Sequence, residues 1–263
     1  MSIVVFSPYG LASEETGVLA LLSNFLQQSN FSISALQCNG AFSLCDRDGE
    51  NGWRRGVRSC FSCLYEQRSV ARWAGIATQE VATFITPDDV TATKRWSLGI
   101  TPQSFSHITF EAEAVFPLVK QSFFSRFGVD HPDASSEEHL ETLRRLMISS
   151  ARMQLGAKKF FLSHETHLAL VAGGGDYLSS SFITAARDAG VGVAQFRWDI
   201  LTRSVQVSHP AAERAYSCPL VFEDVTTMRA DSRTWPGEIV RIIDELMVFL
   251  GVSAAPMELP IAQ

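Results

Sequence analysis

No run of eighteen uninterrupted apolar residues occurs in this chain of 263, so no segment is long enough to cross a bilayer as a helix. The opening Met1-Ser2-Ile3-Val4-Val5-Phe6-Ser7-Pro8 lacks the basic stretch of a secretory signal, and a cytoplasmic protein is the expectation. Basic charge is short: 22 Lys and Arg stand against 28 Asp and Glu, for a net charge of -6. That sign argues against a general nucleic-acid binder, because phosphate contacts need a basic surface. Gly-x-Gly-x-x-Gly, the P-loop and the His-Glu-x-x-His zinc motif are all missing, as is any internal repeat. What remains is an ordinary globular composition, 46% hydrophobic and 19% charged, enough for one large core or two modest ones.

Cysteine is scarce too, at five residues, yet four of them fall together. Cys38, Cys45, Cys60 and Cys63 read C-x6-C-x14-C-x2-C. A Cys-x-x-Cys pair lets two sulfurs converge on one ion from a tight knuckle, and a second pair brought up by the fold completes a tetrahedron. A structural Zn2+ is the leading expectation, with an iron-sulfur cluster, disulfides and unligated thiols as alternatives. A reducing cytoplasm favours metal over disulfide. Cys218 lies far off in the sequence. Arg54, Arg55, Arg58, Arg68 and Arg72 make a local basic patch. It reads as compensation for four thiolates on one ion, or else as a site for an anionic ligand or a membrane surface.

Periodicity supplies the elements. Ile3 to Phe6 is a short apolar run, and Val18, Leu21, Leu22, Phe25 and Leu26 then recur at helical spacing. Phe31 to Leu36 alternates as a second strand that delivers the chain to Cys38. Helices are expected over Leu64 to Ala77, after Pro87, and from Phe110 to Phe127 with Gly128 as its stop. Ser135 and Glu138 suggest a capping box for a further helix running to about Gly156. Lys159 to Ser163 reads as a strand that empties into His164-Glu165-Thr166-His167. Asp176 to Ala189 reads as a helix, Val191 to Phe196 as a strand, and Pro236 to Leu250 as a last helix. Strands alternating with helices predict an α/β fold with a mainly parallel sheet. We expect one domain over residues 1–250, interrupted by the four-cysteine insertion at 38–63, and a tail or linker over 251–263.

In such sheets, ligand crevices open at the C-terminal strand ends. The strand read before His164 would place that histidine there as a general base, with Glu165 orienting it. Tyr9 and Gly10, in the loop after the first strand, Arg126, near the end of its helix, and Arg197, at the end of a strand, are the expected substrate contacts. Gly173-Gly174-Gly175 invites a phosphate, but Asp176 next to it points to a turn before a capped helix.

Leu36-Gln37-Cys38-Asn39-Gly40-Ala41-Phe42-Ser43-Leu44-Cys45-Asp46-Arg47, followed by Cys60-Phe61-Ser62-Cys63, resembles the cysteine-bearing N-terminal region of bacterial capsule and surface-polysaccharide biosynthesis proteins of the two-domain GT-B glycosyltransferase type. Phe123-Phe124-Ser125-Arg126-Phe127, the strand expected to end at His164, the Ala185 to Val191 passage and the late helix at Trp235 share the resemblance, which covers roughly residues 1 to 250. It implies a Rossmann-like fold, with helices on both faces of the sheet, serving as the acceptor-side domain. A nucleotide-sugar donor and a glycan acceptor would be the substrates, and a second domain or a partner protein would supply the donor site. Relatives tend to carry His-Gly where this chain has His164-Glu165. The alternatives are a non-enzymatic, metal-stabilised binding or regulatory module, and an iron-sulfur redox protein.

Overall fold

The computed structural model describes residues 1–8, 19–20, 22–24, 26–27, 30–42, 44–46, 57–199, 204–209 and 212–219. The elements are β1 (Ser2–Phe6), β2 (Ser32–Gln37), α1 (Val57–Ala74), β3 (Ala77–Glu80), a 3-10 turn (Val81–Phe84), α2 (Pro87–Ser97), β4 (Thr109–Phe110), β5 (Glu113–Ala114), α3 (Phe116–Phe127), α4 (Glu137–Ser163), β6 (Leu168–Ala172), α5 (Tyr177–Asp188), β7 (Gly192–Asp199), β8 (Ser204–His209) and β9 (Ala212–Pro219). Seven strands form one sheet in the order β3-β2-β1-β6-β7-β8-β9. The first five are parallel, with Ile3 opposite both Ile33 and Leu168. Their order is the Rossmann-like one, and the strand order reverses between β1 and β6. The antiparallel β8 and β9 extend the β7 edge.

Side chains alternate across β1. Val4 and Phe6 join the core under α4 and α5, where Phe6 stacks on Phe182 at 4.3 Å. Val5 turns to the other face, toward Leu19, Ala20, Val70 and Ala71. Residues 19–20, 22–24 and 26–27 are helical, with Leu19, Leu22 and Leu26 buried. The sheet is thus covered on both sides, as a parallel sheet requires.

Thr86 caps α2 in a full capping box with Asp89. Gly128 ends α3 at φ 68°, and Asp176 caps α5 by accepting from the Ser179 amide. Three expectations fail. The helix expected from Phe110 begins only at Phe116, because Thr109 to Ala114 forms a hairpin whose turn residues Glu111 and Ala112 are left-handed at φ 48° and 72°. Ser136, not Ser135, caps α4; the Ser135 amide and hydroxyl both donate to Asp133. The strand expected at Lys159 to Ser163 is the last turn of α4, which runs 27 residues straight through Gly156. The Pro236 to Leu250 helix and the tail lie outside the described residues.

Candidate functional site

β1 and β2 deliver the chain to the same edge of the sheet. There an amide clamp joins them to α1. Gln37 Nε2 donates to the Gln67 carbonyl at 3.1 Å, and Gln67 Nε2 donates to the carbonyls of Ser7 and Pro8 at 3.3 and 2.9 Å. Cys38 follows immediately. Asn39 and Gly40, both left-handed at φ 45° and 74°, turn the chain, and the Ala41 amide closes the turn on the Cys38 carbonyl at 3.0 Å. Phe42 and Leu44 then bury themselves in the main core, which pulls the cysteine loop down over the ends of the strands.

The far end of that loop is tied to two helices. The buried Tyr177 hydroxyl donates to the Leu44 carbonyl. Ser122 Oγ donates to Asp46 Oδ2 at 2.6 Å and accepts from the Tyr177 amide at 3.0 Å. Arg126 Nη2 reaches the Cys45 carbonyl at 3.3 Å. Burial, then the negative charge of Asp46, Cys45 and Cys38, pushes the Tyr177 phenol well above its ordinary pKa. It stays a neutral donor at any working pH.

Cys60 and Cys63 lie on α1, not in the knuckle that their spacing suggested. Helical periodicity puts them on one stripe with Gln67, Ala71 and Ala74, the stripe that faces the sheet. They stand one and two turns above the Gln67 clamp, beyond the strand ends. Topology therefore carries all four cysteines to the carboxyl edge, each half-buried. Among the described residues, however, no three His, Cys, Asp or Glu side chains are placed to hold a metal ion. As arranged, the four thiols do not make the closed tetrahedron expected of zinc.

A cavity of about 40 Å3 lies under α1, walled by Val5, Leu19, Ala35 and Val70, with Ser7 and Gln67 also lining it. Gln67 Oε1 is buried without a partner. The amide cannot flip to relieve it, because Nε2 is committed to two carbonyls. The space suits a water that would donate to Oε1.

No known family model, curated protein or solved structure matches the chain.

The other expected site residues scatter. His164 caps the C-terminus of α4, four residues before β6 begins. It stacks on Phe160 at 4.7 Å, with Nδ1 within 3.1 Å of the Phe160 carbonyl. Being upstream of a parallel strand, it lies at the amino edge of the sheet, opposite the cysteines. Glu165 is there as well; its carbonyl accepts from the Ser2 hydroxyl. The positional argument for a His164 base fails with the strand on which it rested. Tyr9 and Gly10 lie outside the described residues. Arg197 follows Phe196, the β7 partner of the last β6 residue, and is exposed at the carboxyl edge. The Gly173 to Gly175 turn is the capped turn that Asp176 suggested. Gly174, at φ 126°, lies against the Gln195 side-chain amide, whose end would have to shift to admit a Cβ.

Sequence reasoning missed Gln37, Gln67 and Tyr177. Gln67 left one signal: a polar residue on the apolar stripe of α1.

Proposed function

We propose that the chain is a glycosyltransferase-like domain of cell-surface polysaccharide synthesis that binds its sugar substrate at the carboxyl edge of the sheet. The observation that supports this most is the position of the loop carrying the resemblance: Cys38 to Asp46 lies over the strand ends, tied down by Tyr177, Ser122 and Arg126. Ligand crevices of open α/β sheets form at that edge. Arg126 and Arg197 would meet the phosphates of a nucleotide-sugar or of a phosphorylated glycan. The cytoplasm, where activated sugars are made, would be its compartment. In this reading Zn2+ staples the loop to α1, and its capture would draw the four cysteines closer than they stand. Catalysis would take its base from the carboxyl edge or from a partner domain, not from His164.

The test is transfer from a panel of nucleotide-sugars, with Arg126→Gln beside the parent protein. Turnover that falls at least about tenfold in the variant, as loss of a charge-assisted phosphate contact implies, supports the reading. Turnover indifferent to Arg126 removes it from the site. The position of His164 and Glu165 at the opposite edge favours a second reading, a metal-stabilised binding or regulatory module without catalysis. Saturable nucleotide-sugar or glycan binding without turnover would select it.

A further inference from the structure

The two faces of α1 differ sharply. The inner stripe carries Cys60, Cys63 and Gln67, while Phe61, Tyr65, Arg68 and Arg72 recur at intervals of four, three and four on the outer one. Phe61 is 66% exposed and Tyr65 74%. Two aromatic rings one turn apart in water are not explained by the core, which lies on the other side. Arg72 is exposed beyond them. Arg68 also points outward, its guanidinium 3.6 Å from Glu80 and hydrogen-bonded to Asn39 Oδ1 at 3.3 Å.

Charge complementarity says what kind of surface this face meets. Arg68 and Arg72 lie on this face, and the sequence from Arg54 to Arg72 holds five arginines against one acidic residue, Glu66, in a chain whose net charge is -6; Arg54 and Arg55 lie outside the described residues. Clusters of four to eight basic residues beside exposed aromatics fit anionic headgroups: arginines sit at the phosphates, and the rings enter the boundary between headgroup and acyl chain. A folded protein partner would have to cover about 800 Å2, whereas two rings of about 150–250 Å2 each supply well under that. A bilayer needs only a narrow stripe on a convex helix.

We propose that the outer face of α1 docks the protein on an anionic membrane surface through Phe61, Tyr65, Arg68 and Arg72. This stands apart from the glycosyl-transfer reading, and either can fail without the other. It is also distinct from spanning: among the described residues no helix is long and apolar enough to cross a membrane.

The experiment is flotation of the full chain with phosphatidylcholine vesicles, with and without phosphatidylglycerol, across a salt series. The parent should float with the anionic vesicles only and be released as salt is raised. Phe61→Ser with Tyr65→Ser keeps every charge and should weaken binding at least about tenfold, the scale of losing two inserted rings. Arg68→Gln with Arg72→Gln should lose the preference for phosphatidylglycerol. All four side chains are exposed, so unchanged melting temperatures are expected and are checked alongside. Hydrogen exchange on the parent, needing no substitution, should show protection over residues 57–74 when anionic vesicles are added. Absence of flotation with any vesicle, flotation indifferent to both double variants, or binding to heparin or RNA but not to vesicles would each overturn the proposal.

Discussion

The Tyr177 hydroxyl donates its hydrogen bond to the carbonyl of Leu44, joining residues 133 apart in the chain. The bond fixes the cysteine loop to the first residue of α5, in a spot where the phenol is wholly buried. Tyr177→Phe would keep the ring and strip the donor. A buried carbonyl left unpaired costs about 1–3 kcal/mol, so the urea midpoint should fall by that equivalent. If the loop is held here, amides of residues 38–46 should exchange faster in the variant while those of β6 and β7 do not. Unchanged exchange over the loop would mean that Phe42 and Leu44 hold it alone.

The β4 to β5 turn places two residues with side chains in the left-handed region, Glu111 and Ala112. Two-residue hairpins prefer Asn-Gly there because both central residues need positive φ. Relieving Ala112 by glycine recovers about 1–2 kcal/mol of strain and gives back about 0.4–1 kcal/mol through the looser unfolded chain. Ala112→Gly should therefore stabilise the protein by roughly 0.5 kcal/mol. A lower urea midpoint would mean that the turn is not strained.

Gly156 lies mid-helix, where alanine would ordinarily gain about 1 kcal/mol. Here a Cβ would stand 2.9 Å from Val81 Cγ1 and 3.2 Å from Ile85 Cγ1. Overpacking of that kind costs about 1–3 kcal/mol, so Gly156→Ala should lower the melting temperature. In a Val81→Ala background the penalty should shrink, since the nearest clashing methyl is gone. Additive effects in the double-mutant cycle would refute this close approach.

Asp89 gives a pH-dependent prediction. Partial burial works to raise its pKa, but hydrogen bonds from Lys159 Nζ and from the amide and hydroxyl of Thr86 outweigh that and hold it below the ordinary carboxylate value. A depressed folded-state pKa stabilises the fold above the unfolded value of about 3.9, and that stability is lost as pH falls through the folded value. Asp89→Asn should cost about 1 kcal/mol at neutral pH, the usual worth of a cap and its partner. The gap between variant and parent should close below about pH 4 as the parent carboxyl protonates. A gap constant across that range would contradict the assignment.

The layered α/β plan was legible in the sequence where pattern and punctuation agreed. Ser2–Phe6 is a short apolar run at the start of the chain and Ser32–Gln37 begins with strand alternation, while Gly128 and Asp176 mark helix ends chemically. Gly156 misled, because glycine was read as a stop where its role is close approach to Val81. That error cut α4 short, turned its last turn into a strand and moved His164 to the wrong edge of the sheet. The real strand, Leu168–Ala172, is apolar throughout and buried on both faces, so no alternation announced it. At the site, the cysteines were visible by spacing and Arg126 as an expected site residue, but Tyr177 and Gln67 were not. The side chains of Tyr177, Ser122 and Gln67 hydrogen-bond across the fold, with partners at least 55 residues away.

The proposed zinc staple requires that Cys38, Cys45, Cys60 and Cys63, which do not stand as a metal site, close on one ion when it is present. Elemental analysis with an absorption spectrum, on protein purified under nitrogen, tests it directly. A zinc staple would give about one zinc per chain, the stoichiometry of a single four-thiolate site, no visible absorbance, and loss of both zinc and thermal stability in Cys60→Ser. Protein without metal would contradict the claim, and iron with broad visible absorption would replace the zinc staple with a redox centre.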